Sequence, residues 1–226
     1  TNPSQNLIDD YEMLDGTAFD WSDPVKAAHP FENRDERLLA TVLMNGVLFK
    51  GKRIATYPGG ADAMPNPNAT KTGYYLRKFL NENVNIQTGG GSDGHVVPLF
   101  RLAEIYLNYA EALNEYDPTN PDIAVYLNKI RERVSLPDVP SGLTQEQMRT
   151  LIHHERRVEL AFEEHRFWDV RRWKVASSTL GAPVKGVKIT QDDAGNFTYS
   201  PVQVEQRVFQ PKMYWYPIPQ SELLKL

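Results

Sequence analysis

The chain has 226 residues, 25.8 kDa in all, of which 41% are hydrophobic and 24% charged. Its 25 basic residues nearly balance its 29 acidic ones, leaving −4. That balance argues against a general nucleic-acid binder, which needs an excess of Lys and Arg to neutralise phosphate. With no cysteine there is no disulfide framework, thiolate metal site or cysteine nucleophile, and no apolar run approaches the ~18 residues of a membrane helix. A basic-then-apolar signal segment is absent as well. The chain opens Thr1-Asn2-Pro3-Ser4, which leads to the expectation of a mature or cut chain.

Residues 1–97 are rich in turn signals: Asp15-Gly16, Asn45-Gly46, Pro58-Gly59-Gly60, Pro65-Asn66-Pro67-Asn68 and a glycine cluster at 89–94. Short apolar stretches such as Thr41-Val42-Leu43 lie between them, so this segment reads as loops, short helices and a few strands. Residues 98–176 read as helical. Leu99, Leu102, Ala103, Tyr106, Ala110 and Leu113 form one stripe, and Ile105, Tyr109, Ala112 and Tyr116 form a second. A helix apolar on two sides is expected to pack between neighbours. Asn120-Pro121-Asp122 supplies an N-cap, a first-turn proline and an acid for the next helix, carried by Ile123, Leu127, Ile130 and Val134 and stopped by Pro137 and Pro140. Thr144 with Gln147 predicts a capping box for a third, which is expected to run on through Met148, Leu151, Ile152, Val158 and Phe162. A helical hairpin of this kind is the unit of repeat proteins. Residues 177–226 carry candidate strands at Val184–Ile189, Phe197–Tyr199 and Val208–Phe209, with a turn at Asp193-Ala194-Gly195-Asn196 between the first two.

Several catalytic patterns match in letters only. Gly89-x-Gly91-x-x-Gly94 fits a dinucleotide fingerprint and Gly90-x-Ser92-x-Gly94 a nucleophile elbow, but Pro98 delays the helix that each requires. Gly46–Lys52 resembles a phosphate loop, yet Arg53 stands where Ser or Thr must bind magnesium. His154-Glu155 begins like a zinc-protease helix, but Val158 occupies the second histidine position. No catalytic or metal residues are therefore assigned.

The densest charge lies at residues 153–173, with five acids (155, 159, 163, 164, 169) and five arginines (156, 157, 166, 171, 172). Such balance points to an ion-pair network rather than to catalytic carboxylates. Glu155 and Glu159 fall on or beside the apolar stripe of their helix, so they need partners there, and Arg101 is the expected one. Aromatic residues in the turn-rich part are the remaining signal, since ring faces stack on sugars while nearby polar groups bond to hydroxyls. The candidates are Trp21, flanked by Asp20, Ser22 and Asp23, with Phe19, Tyr57, Tyr74 and Tyr75.

Residues 98–112 (Pro-Leu-Phe-Arg-Leu-Ala-Glu-Ile-Tyr-Leu-Asn-Tyr-Ala-Glu-Ala) and 155–173 (Glu-Arg-Arg-Val-Glu-Leu-Ala-Phe-Glu, running on to His-Arg-Phe-Trp-Asp-Val-Arg-Arg-Trp) closely resemble two helices of the SusD/RagB outer-membrane nutrient-binding lipoproteins. Asn6-Leu7-Ile8-Asp9, Asn33-Arg34-Asp35, Leu127–Arg131 and Tyr216-Pro217-Ile218-Pro219 match in order. Glu36 stands where that family often has proline, and Glu164 where glycine is usual. The resemblance implies a mainly α fold of tetratricopeptide-like helix pairs, with loop-rich insertions and a few short strands. It further implies a non-enzymatic, cell-surface protein that captures glycan for a SusC-like TonB-dependent transporter. The chain then corresponds to the C-terminal half of such a protein, its lipidated cysteine lying outside these residues. Peptide in place of glycan is the alternative within the family, and a Ser92 hydrolase the alternative outside it. No cofactor is implied, and structural calcium through loop oxygens has no assignable ligands.

Overall fold

The structure, a computed structural model, describes residues 2–84 and 98–225. The glycine cluster at 89–94, Ser92 included, lies outside the described residues.

The first part consists of short helices α1 (Gln5–Ile8), α2 (Pro24–Ala28) and α3 (Glu36–Thr41), and four two-residue strands. β1 (Val42–Leu43) pairs antiparallel with β4 (Tyr75–Leu76), and β2 (Leu48–Phe49) with β3 (Lys52–Arg53). The helical part contains α4 (Leu102–Tyr116), α5 (Asp122–Glu132), α6 (Gln145–Glu159), α7 (His165–Arg172) and the short α8 (Ala176–Thr179). The hairpin of β5 (Val184–Gln191) and β6 (Phe197–Glu205), a 3-10 turn and α9 (Gln220–Leu223) follow. Val208–Phe209, expected as a strand, forms none. None of the described helices is long and apolar enough to cross a membrane.

The capping signals act close to where the sequence predicts, with α5 beginning one residue later, at Asp122, so that Pro121 holds the N-cap position. Asn120 accepts from the Asp122 amide at 3.1 Å, and Thr144 and Gln147 close a reciprocal capping box. Three boundaries differ. α4 begins three residues after Leu99, because Arg101 takes an extended backbone and turns its guanidinium away toward α6. α5 ends at Glu132, before either proline, where left-handed Ser135 lets the Leu136 amide bond back to the Arg131 carbonyl. The third helix stops at Glu159 instead of continuing through Phe162. Phe162 and Glu164 both adopt positive φ (64° and 67°), and the chain bends there into α7. Position 164 thus has the backbone that favours glycine.

Two apolar clusters form the core. One packs α4, α5 and α6 together through Leu107, Ala110, Ile123, Leu127, Ile130 and Ile152. The other draws from the whole length of the chain: Ile8, Tyr11, Leu38, Val42, Tyr74, Val158, Val187 and Ile189. The face that α4 buries against α5 and α6 runs through Glu104, Leu107, Ala110 and Asn114, so of the first predicted stripe only Ala110 is buried, Ala103, Tyr106 and Leu113 are partly so, and Leu99 and Leu102 are exposed, as are Ile105, Tyr109, Ala112 and Tyr116 of the second. The hairpin joins the second cluster through close backbone contact. The Val187 amide donates to the Thr72 carbonyl at 2.9 Å, and any Cβ on Gly186 would sit 2.7 Å from Thr72 Cα.

Between the clusters runs an ion network centred on Glu155 and Glu159, which are 1% and 4% exposed. Arg37 donates to Glu155 at 2.5 Å and to Glu159 at 2.8 Å, and its Nε and Nη2 grip Asp35. Arg131 bonds Glu155 at 3.0 Å and Glu12 at 2.9 Å. Glu159 also receives Arg133 and, as predicted, Arg101 at 2.6 Å. Arg101 and Lys78 close the network on Glu163. Burial by itself would raise the Glu159 carboxyl, but Arg101, Arg37 and Arg133 hold it below the ordinary value of 4.5. At Glu163, Arg101 and Lys78 overcome burial in the same way.

These features give three expectations. Glu155→Gln leaves Arg37 and Arg131 short of a buried counter-charge and should cost about 3–5 kcal/mol in urea unfolding; a loss below about 1 kcal/mol would contradict the network's role. Glu164→Gly relieves the left-handed strain and should stabilise by about 0.5–1 kcal/mol, the gain being reduced by the greater freedom of glycine in the unfolded chain. Carboxyls with depressed values contribute stability that is complete above 4.5 and drains as pH falls through the folded values. Urea midpoints should therefore fall on acidification below that point, and Glu159→Gln should flatten the fall.

Candidate functional site

The turn after α1, the C-terminal end of α6 and the start of α7 enclose a cavity of about 600 Å³. That size suits a small ligand or one or two sugar rings. Asp9 and Asp10 stand on one wall, Arg156 and Arg157 on another, and Arg166 and Arg207 complete it. Their positions follow from the local fold. The bend at Phe162–Glu164 turns α7 back across the end of α6, so arginines from both helices meet one space.

The charges around this space are unevenly matched. Arg156 pairs with Asp169 at 2.8 Å and donates to Asn108 at 2.7 Å. Arg157 is ion-paired with Asp10 and bonds the Asn6 carbonyl at 2.8 Å. Burial raises the Asp10 carboxyl despite the opposing fields of Arg157 and His154. The Arg166 guanidinium, half-buried, makes no hydrogen bond or ion pair with any described residue. Its value is lowered to about 10, by burial first and by repulsion from Arg157 second. The Nε of Arg207 is buried without a hydrogen-bond partner. Among the described residues no three His, Cys, Asp or Glu side chains are grouped to hold a metal ion.

The aromatic candidates separate in space. Trp21 donates from Nε1 to Asp9 Oδ1 at 2.9 Å, so it braces the cavity wall from behind. Phe19 packs edge-on to Trp21, with the ring centroids 5.1 Å apart, and lies under the Arg34 guanidinium at 4.2 Å. Tyr57 packs against Phe197 at 5.0 Å on the β5–β6 hairpin. Tyr75 holds a loop in place by donating to the Asp62 carbonyl at 2.8 Å and accepting from the Thr70 amide. Tyr74 is fully enclosed in the core, its hydroxyl bonded to Gln5, and offers no face to a surface ligand. Its neighbours in sequence suggested a loop, but the β1–β4 pairing turns it inward.

Two features escaped sequence reasoning. The acids and arginines of residues 153–173 are not matched among themselves. Only Asp169 takes its arginines, 156 and 172, from within the segment, while Glu155, Glu159 and Glu163 draw theirs from elsewhere. That leaves Arg166 and Arg171 without a carboxylate at ion-pair distance, Arg171 bonding the Phe167 carbonyl and lying over the Phe167 ring instead. Counting charges could not find this, because partners are assigned by the fold. The second feature is an exposed aromatic surface: Phe167, Trp168 and Tyr216 lie within 5.0–6.3 Å of one another, and Trp215 nearby in sequence is 75% exposed. Its signal was visible as the segment Tyr214–Pro219.

Comparison with known proteins places the whole arrangement. The SusD family matches residues 1–226. Among solved structures, a SusD-like protein of Bacteroides fragilis superposes with a TM-score of 0.85 at 30% identity, over 99% of this chain and 45% of that one. A SusD-like carbohydrate binding protein of the same species gives 0.82 at 30% identity, over 98% of this chain and 47% of that one. The SusD-like protein P2 of Formosa agariphila is 36% identical over 126 residues, 53% of this chain and 24% of that protein. The chain thus spans under half the length of these relatives. Its mainly α, tetratricopeptide-like architecture and its chain-long match agree, and the chain belongs to the SusD/RagB family.

Proposed function

We propose that this chain forms part of a surface glycan-binding protein that captures oligo- or polysaccharide and passes it to a SusC-like TonB-dependent transporter in the outer membrane. The observation that carries the reading is the likeness, over 98% of the chain, to a solved SusD-like carbohydrate binding protein. The cavity supports it in kind: it is of saccharide size, with phenylalanine rings beside charged and hydroxyl groups on its wall. Binding is non-enzymatic in this reading. The only nucleophile weighed from the sequence, Ser92, belonged to a motif whose required helix Pro98 delays. Anchoring would come from a lipidated cysteine outside these residues.

Shallow stacking and hydroxyl bonding give affinities on the order of micromolar to millimolar. Calorimetric titration of the intact protein with a polysaccharide panel should find at least one glycan binding in that range. Trp21→Ala, which frees Asp9 on the cavity wall, should weaken it about tenfold, equal to ~1.4 kcal/mol. Silence across the panel, or selective binding of peptides instead, would defeat the glycan reading; unchanged affinity in Trp21→Ala would remove that residue from the site.

A further inference from the structure

A half-buried guanidinium without a hydrogen bond or a close ion pair is an unusual object. Burial removes water from the charge, and proteins offset that loss with a carboxylate or another oxyanion. Arg166 makes no hydrogen bond or close ion pair with any described residue and feels Asp10 and Asp169 only from a greater distance, and the cavity beside it is also lined by Arg207, whose buried Nε has no hydrogen-bond partner. Neighbouring Arg157 cannot help, since it adds like charge and is already committed to Asp10. Asp169 is taken by Arg156 and Arg172, and Asp9 Oδ1 accepts from Gln5 at 2.7 Å and from Trp21 at 2.9 Å.

We propose that this cavity receives the oxyanion of an acidic saccharide, a carboxylate or a sulfate ester, held by Arg166 with Arg207 as second donor. The assignment rests on the glycan-binding reading and names the ligand class. A guanidinium fork matches the geometry of either oxyanion and binds it by paired charge-assisted hydrogen bonds. The rest of the wall suits the sugar that carries it. Ser178 and Thr179 each spend their hydroxyl proton on the Val175 carbonyl, leaving oxygen lone pairs to accept. Phe162 and Phe167 supply apolar surface for ring carbons. This mixture of hydroxyl acceptors, apolar faces and a cation with no hydrogen bond of its own favours a charged sugar over a bare inorganic anion.

Titration of the intact protein with oligogalacturonate, a sulfated oligosaccharide, a size-matched neutral oligosaccharide and inorganic sulfate tests the assignment. At least one acidic saccharide should bind tenfold or more tightly than the neutral one. Arg166→Gln should abolish that preference, bringing the acidic ligand down to the affinity of the neutral one, and Arg166→Lys should keep part of it. Should Arg166→Gln fail to fold, Arg207→Gln serves the same comparison, with a partial loss expected. Equal affinity for acidic and neutral ligands, or a preference that survives both variants, overturns the anion site but not the glycan reading. Inorganic sulfate binding as tightly as the sulfated sugar also overturns it. Binding of no saccharide at all defeats both.

Discussion

Glu155 and Glu159 are one helical turn apart on the face of α6 that points into the molecule, and a buried carboxylate must be met by positive charge. No nearby residue on α6 meets it. The guanidiniums come from α3, from the end of α5 and from the residue that precedes α4. Four separate segments are thereby held in one mutual arrangement. An apolar replacement could be as stable, since desolvating five or six ions costs nearly what their attraction returns. What the ionic version adds is direction: a guanidinium fork accepts few orientations, whereas a leucine accepts many. The two apolar clusters could slide against each other if only hydrophobic contact joined them. The network between them fixes that relation, and with it the bend that brings α7 over the end of α6.

Much of this was legible in the sequence where the cause is local. The capping box at Thr144, the cap at Asn120 and the hairpin turn at residues 192–196 are short-range hydrogen-bond patterns, and each forms where its letters stand. Arg101 was found because two acids on an apolar stripe demand a cation, and an arginine stands at the start of the first helix of the helical part. Helix ends were less legible. The stop at Glu159 has no glycine or proline to mark it, because positive φ falls on Phe162 and Glu164, residues that carry no such signal. Tyr74 and Arg166 show the deeper limit. Tyr74, just before β4, is turned inward onto Gln5 and Phe31, 69 and 43 residues away, and which arginine is left without a close acid likewise depends on partners that the fold assigns.

The cavity and the exposed aromatic surface share α7, with Phe167 and Arg166 adjacent on its first turn. A single element therefore presents a ring face outward and a guanidinium inward within two residues. For a ligand that is both flat and hydroxylated, this juxtaposition offers stacking and polar recognition without large movement of the backbone.

The two core clusters also differ in how far the chain must travel to complete them. The cluster under α4, α5 and α6 is drawn from residues 103–160, whereas the other joins Ile8 to Val187 and Ile189, with Asn6 clasping the Lys185 amide and the Pro183 carbonyl. Loop closure over such a span is entropically slow, while helical contacts between neighbours are fast. During synthesis the first turn of the chain must stay unpaired until the hairpin emerges. α6, packed into the helical cluster through Ile152, carries on Val158 the surface of the other cluster on which Ile8 and the hairpin meet.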